Sequence, residues 1–150
     1  VRVWREMAAR GEAIPVSDIR MTRFWLTIDQ ALDHVLRALC DLRGGETFVP
    51  YLGAAQLTTL LVAAAPDSKT VEIGIRPGGE KLHESLLSED EVRRARRRNG
   101  WYIVPPIDTR ELWDRSPWLG EPVPADFMYR SDVWPQQLSV AEMRALLETA

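Results

Sequence analysis

The chain has 150 residues, and 19 Lys and Arg against 22 Asp and Glu leave a formal charge of −3. An apolar share of 45% is that of one globular domain burying roughly 70% of its unfolded surface, which excludes a disordered tail. No apolar run approaches the ~20 residues that cross a bilayer, and the acidic balance argues against sequence-independent nucleic-acid binding.

No secretory leader opens the chain, and the lone Cys40 cannot form an internal disulfide; a reducing, cytoplasmic setting is expected. The basic residues are 17 Arg and only 2 Lys, which fits GC-rich codon usage beside abundant Ala, Gly and Pro. The first residue is Val1, already inside an Arg-rich helical pattern, which suggests a piece of a longer chain.

Residues 1–13 read as the tail of a helix from a preceding domain, with Val3, Trp4, Met7 and Ala8 on one face and Gly11 at its end. Ile14-Pro15-Val16 is short and extended. Thr27 and Gln30 form a capping box, and Ile28, Ala31, Leu32, Val35, Leu36 and Leu39 recur at helical spacing up to Gly44-Gly45. Thr47-Phe48-Val49 reads as a buried strand stopped by Pro50. Leu57, Leu60, Leu61 and Ala64 give a helix ended by Pro66. Val71, Ile73 and Ile75 alternate with Glu72 and Gly74, as in a half-buried strand. Ser88 and Glu91 make a second capping box, ahead of a helix carrying the run Arg93 to Arg98 on a solvated face. Trp101 to Val104 is a strand closed by Pro105-Pro106, and 107–136 reads as an irregular wrap. A last helix, 139–148, opens with Ser139 and Glu142 and carries Val140, Met143, Leu146 and Leu147. Strands alternating with helices predict a mixed α/β fold in a single lobe, 1–150.

Several chemistries are missing. There is no Gly-x-Gly-x-x-Gly and no Walker loop, so no cradle for a dinucleotide or nucleoside triphosphate. Two histidines and one cysteine make a zinc-type metal site unexpected, and His83-Glu84 lacks the second His at Leu87 that a metalloprotease helix requires. None of Tyr51, Tyr102 and Tyr129 is followed by Lys four positions on.

Three constellations remain. In Asp18-Ile19-Arg20-Met21-Thr22-Arg23-Phe24-Trp25, two guanidinium groups flank a hydroxyl and could grip an anion such as a diphosphate; equally, they could pair with Asp18 and Asp29. In Ile75-Arg76-Pro77-Gly78-Gly79-Glu80-Lys81-Leu82-His83-Glu84, an Arg at a strand exit precedes glycines, where α/β folds place ligand loops; the plain alternative is a turn in which Arg76 pairs with Glu80. The Arg93–Arg98 run is neutralised by Ser88-Glu89-Asp90-Glu91 just before it. The six Trp residues and Cys40 are expected to be packing material.

Taken together, Arg20-Met-Thr-Arg-Phe-Trp25 and Gly74-Ile-Arg-Pro-Gly-Gly-Glu-Lys-Leu-His-Glu84 resemble a known family: the C-terminal part of inverting UDP-N-acetylglucosamine 4,6-dehydratases, polysaccharide-biosynthesis members of the extended short-chain dehydrogenases. The resemblance continues through Ser88–Glu91, Tyr102–Pro106, Tyr129–Asp132 and Leu138–Glu142. It implies a substrate-binding lobe without its Rossmann partner. In such enzymes NADP, held by that partner domain with the catalytic residues, takes a hydride from the sugar C4; water leaves across C5 and C6; the hydride returns to C6. No catalytic, cofactor-binding or metal residue carries over to this chain. The implied substrate-binding residues are Pro15 and Val16 beside the uracil, Arg20 or Arg23 with Arg76 on the diphosphate, and Glu80 orienting Arg76 or touching the nucleoside. The implied partners are a UDP-sugar, the missing Rossmann domain and further copies in a homo-oligomer. Two departures stand out: Gly78 and Gly79 where the family has one glycine, and the plain Gly53-Ala54-Ala55-Gln56. A UDP-sugar 4-epimerase or reductase lobe, a noncatalytic UDP-sugar sensor, and, more weakly, nucleic-acid binding through Arg93–Arg98 are the alternatives.

Overall fold

A computed structural model describes residues 1–107, 118 and 120–149. Among them the chain order is α1 (Arg2–Ala9), β1 (Ile14–Val16), β2 (Thr22–Trp25), α2 (Ile28–Asp41), β3 (Thr47–Pro50), β4 (Gly53–Gln56), α3 (Leu57–Ala64), β5 (Thr70–Glu72), α4 (Glu89–Val92), β6 (Arg96–Arg98), β7 (Trp101–Val104), β8 (Glu121–Pro122) and α5 (Val140–Glu148). The fold is mixed α/β, as expected. The residues gather into two compact units: 1–27 with 53–84 and 131–150, and 28–52 with 85–130.

The first unit holds two small sheets. β1 pairs in parallel with β5, Pro15 opposite Val71, and β2 pairs antiparallel with β4, Arg23 opposite Ala55. α3 is apolar nearly all round and therefore feeds two cores. Leu61 joins Ile14, Val16 and Ala65, with Trp4 and Met7 packed on them. Leu60 and Ala63 join Ala55 and Met143, with Trp25, Leu138 and Leu147 around them. The bland Gly53-Ala54-Ala55 segment proves to be a strand whose small side chains let Leu138 approach: the Leu138 amide donates to the Ala54 carbonyl at 2.7 Å. α5 begins as its sequence announces, with Ser139 Oγ accepting the Glu142 amide and Glu142 accepting the Ser139 amide.

The second unit is built on an antiparallel sheet of order β3-β7-β6-β8. β7 is buried along its length, so each face needs its own cover. Trp101 and Ile103 pack with Ala38, Phe48 and Trp118. The Tyr102 ring lies 4.5 Å from Tyr51, 4.9 Å from Phe127 and 5.1 Å from Tyr129. The Tyr129 hydroxyl donates to the Pro50 carbonyl at 2.8 Å and accepts the Leu52 amide at 2.7 Å.

Four expectations need correction. The Ser88 capping box is present, but α4 stops at Val92, and Arg96–Arg98 form strand β6 rather than a helix face. Asn99 (φ 48°) and Gly100 (φ 82°) turn the chain into β7, the Asn-Gly hairpin geometry that favours strands on both sides. Arg97 then pairs with Glu121 of β8 at 3.0 Å, and Arg98 lies over the Trp118 ring. β5 spans only Thr70–Glu72, with β1 as its strand partner, and Val71, Ile73 and Ile75 are exposed, not half-buried, because among the described residues no buried core cluster packs on them. α2 forms as predicted, yet none of its residues is buried. Cys40, expected to pack at its end, is exposed. The Trp expectation fares better: Trp101 and Trp134 are buried and Trp4, Trp25 and Trp118 half-buried, while Trp113 lies outside the described residues. The 107–136 stretch contributes β8 among its described residues; 108–117 and 119 fall outside them.

Candidate functional site

β1 delivers Pro15 and Val16 to one wall of a cleft of about 470 Å³ in the first unit. Ser17 and Asp18 follow directly, both buried. The Asp18 carboxylate accepts the Arg20 amide at 2.8 Å and the Arg20 guanidinium at 2.6 and 3.0 Å, closing a tight turn before β2. Those bonds hold the Asp18 carboxyl down to about 2. The Arg20 side chain is 71% exposed and does not line the cleft.

Arg23, one residue into β2, does line it, but its donors are committed. Nη1 donates to the carbonyls of Thr22 (2.8 Å) and Leu82 (3.1 Å). Nη2 donates to the Lys81 carbonyl (2.8 Å) and the Met21 sulfur (3.4 Å), and Nε lies 3.5 Å from Glu84. Both terminal nitrogens have protein acceptors, and Nε faces the Glu84 carboxylate. Arg23 thus straps residues 81–84 to β2 while its charge stays at the cleft wall.

The 76–84 loop completes the site. Gly78 and Gly79 take φ of 109° and 101°, which brings Glu80 back over Arg76. Glu80 Oε2 accepts the Arg76 amide at 2.9 Å, Oε1 accepts Arg76 Nη2 at 2.9 Å, and Ser17 Oγ donates to Oε1 at 3.0 Å. The second glycine therefore does not pull Glu80 off Arg76. The Arg76 guanidinium, aided by its own amide, holds the Glu80 carboxyl down to about 2. The Glu80 side chain is 15% exposed and that of Arg76 is 73% exposed. Arg76 is thus tethered along one edge, and its Nη1 is directed to no acceptor among the described residues.

Of the six expected residues, five line one cleft: Pro15, Val16, Arg23, Arg76 and Glu80. Arg20 stands apart on Asp18. Trp4, Trp25 and Ile73 supply apolar surface and Ser17 a hydroxyl, so the cleft combines flat hydrophobic walls with one cationic lip, the make-up of a site for a flat ring carrying an anionic tail. Sequence reasoning missed Ser17, whose only cue was its place between Val16 and Asp18. It also missed Trp4 and Trp25 as cleft walls, since aromatic residues at such spacing read as core. Among the described residues no cluster of His, Cys, Asp and Glu could hold a metal, and no helix is long and apolar enough to cross a membrane.

Residues 1–106 match the family described as polysaccharide biosynthesis protein. The chain belongs to that family. A relative in Campylobacter jejuni, the inverting UDP-N-acetylglucosamine 4,6-dehydratase, is 32% identical over 150 aligned positions, covering 95% of this chain and 45% of the relative. The UDP-glucose 4-epimerase of Rickettsia akari is 32% identical over 123 positions, covering 71% of this chain and 36% of its own length. Among solved structures, Pen from Bacillus thuringiensis superposes with a TM-score of 0.80 at 27% identity, covering 99% of this chain and 43% of that one. The chain thus spans less than half the length of these relatives. Its fold is that of the C-terminal lobe of extended short-chain dehydrogenases.

Proposed function

We propose that this chain is the UDP-sugar-binding lobe of a nucleotide-sugar 4,6-dehydratase of polysaccharide biosynthesis, inactive by itself. The observation that carries this reading is the meeting of β1 and the 76–84 loop at one cleft, with Arg76 tethered by Glu80. The flat walls beside Pro15 and Val16 suit the uracil. The outer edge of Arg76 takes a diphosphate oxygen, and Glu80 holds the guanidinium so that little side-chain freedom is lost on binding. The committed Arg23 adds charge without direct ligation. Arg20, held by Asp18 and not lining the cleft, is assigned no diphosphate contact. Fixing the nucleotide this way sets where the hexosamine lies, and such positioning lowers the barrier of a reaction whose chemistry is supplied elsewhere.

NADP is the cofactor that the family implies. The residues present do not fit it: β1 runs into Ser17-Asp18-Ile19-Arg20 rather than a glycine turn, and the sequence has no Gly-x-Gly-x-x-Gly. No reaction step in this chain is assigned to it. α2 supports the reading of a missing partner domain. It turns Ala31, His34 and Ala38 inward and leaves Ile28, Leu32, Val35, Leu36 and Leu39 exposed, the reverse of an ordinary surface helix. A Rossmann half, joined into a cytoplasmic homo-oligomer, is the occupant this reading assigns to that face. The match to a UDP-glucose 4-epimerase favours a second reading, the same lobe serving an epimerase.

Calorimetric titration of UDP tests the proposal. Saturable binding is expected, and Arg76→Ala should weaken it by about ten- to a hundredfold, the worth of a charged hydrogen bond. No heat at millimolar UDP, or equal affinity in both proteins, contradicts it. With UDP-N-acetylglucosamine and NADP the isolated chain should yield no 4-keto-6-deoxy sugar; product would overturn the inactivity.

A further inference from the structure

Behind the cleft lies a polar cluster that no ligand contact accounts for. Thr22 opens β2 and is buried; its hydroxyl sits 2.9 Å from His83 Nδ1 and 2.6 Å from the Ser131 hydroxyl. Ser131 has no exposed surface. Its Oγ accepts the Glu84 amide at 2.9 Å and donates to the Thr22 carbonyl at 3.1 Å, and its own amide donates to the Glu84 carbonyl at 2.8 Å. The Thr22 amide donates to the Leu82 carbonyl at 3.0 Å. His83 Nε2 lies 3.9 Å from the Asp132 carboxylate. Carboxylate, imidazole and hydroxyl in this order look like a hydrolytic relay, but both hydroxyls are buried, so neither can reach a substrate.

The cluster closes instead on the segment 82–84. Each hydroxyl has one proton to give. If Ser131 donates to the Thr22 carbonyl, Thr22 must donate to Ser131, and its oxygen is left to accept from His83 Nδ1. The direction of the whole chain is then set by a proton on Nδ1. The same segment is held from its other side by Arg23, through the carbonyls of Lys81 and Leu82 and the Glu84 carboxylate. Glu80, which orients Arg76, is two residues before it.

We propose that His83 is a positioning residue for the cleft. By donating from Nδ1 to Thr22 it locks residues 81–84 onto β2, and so holds Glu80 and Arg76 at the mouth without itself lining the cleft. This rests on the reading of the cleft as a UDP site. It deepens that reading by making affinity depend on a side chain that does not touch the nucleotide.

The test compares His83→Asn and His83→Gln, two neutral polar replacements. The Asn amide can stand where Nδ1 stands and donate to Thr22; the longer Gln places its amide toward Nε2. UDP titration should find His83→Gln weakened by about tenfold and His83→Asn within about threefold of the wild type. Hydrogen exchange at the Glu84 and Ser131 amides should be faster in the Gln variant than in the other two. Equal UDP affinity in all three proteins, or equal loss in both variants, overturns the proposal. If the wild type takes up no UDP, the functional reading falls by itself. The exchange data still decide the positioning claim: selective loss of protection in the Gln variant supports it, and equal protection in all three ends it.

Discussion

Arg76 and Glu80 show how a charge can be made into a tool. An exposed arginine samples many rotamers and gains little from a single ion pair. Here the partner carboxylate is mostly buried, bonded also to Ser17 and to the Arg76 amide, so the guanidinium is aimed before any ligand arrives. Glu80→Gln should therefore weaken UDP binding severalfold while Arg76 is still present, which calorimetry would show; unchanged affinity would mean the tether is irrelevant. The same carboxylates give a pH signature. Asp18 and Glu80 are both held at about 2 in the folded chain, below the ~4 of unfolded carboxylates. A depressed folded value means stabilisation that is complete above the unfolded value and lost as pH falls through the window from about 4 to about 2. Thermal midpoints across that window should drop less steeply in an Asp18→Asn, Glu80→Gln double variant than in the wild type. Parallel curves would contradict the assignment.

At the scale of elements, the capping boxes at Ser88 and Ser139 and the apolar spacing of α3 were legible in the sequence because each rests on local chemistry. β2 and β4 were not, since Thr22–Trp25 and Gly53–Gln56 alternate weakly and their pairing joins residues some thirty positions apart. β6 was misread because three adjacent arginines suggest a solvated helix. The decisive cue was the pair directly after them, Asn99-Gly100, which predicts a hairpin flanked by Trp101–Val104. Gly100 has φ of 82°, and a Cβ added there would meet no atom within 4 Å, so its cost on substitution is backbone strain alone. Gly100→Ala should destabilise the chain by about 1 kcal/mol in urea unfolding; a neutral result would contradict the turn. The candidate site was legible in part. Its Arg and Glu motifs announced themselves, but the commitment of Arg23 to carbonyls and of Arg20 to Asp18 depends on backbone geometry that residue types do not carry.

For the whole molecule, α2 is the informative element. This helix turns alanines inward and leaves five leucine, isoleucine and valine side chains of its 14 residues exposed. The isolated chain should self-associate, and replacing Leu32, Leu36 and Leu39 together by Gln should make it monomeric in sedimentation with little change in melting temperature. A wild type monomeric at every concentration would count against a covered face. The relatives are more than twice as long as the chain.

The cleft between β1, β2 and the 76–84 loop is the centre of the account, and nitrogen–proton correlation spectra recorded during a UDP titration test it most directly. Saturable shifts concentrated at Val16, Ser17, Arg76 and Glu80 are predicted; shifts scattered over the second unit, or none at millimolar UDP, would contradict it.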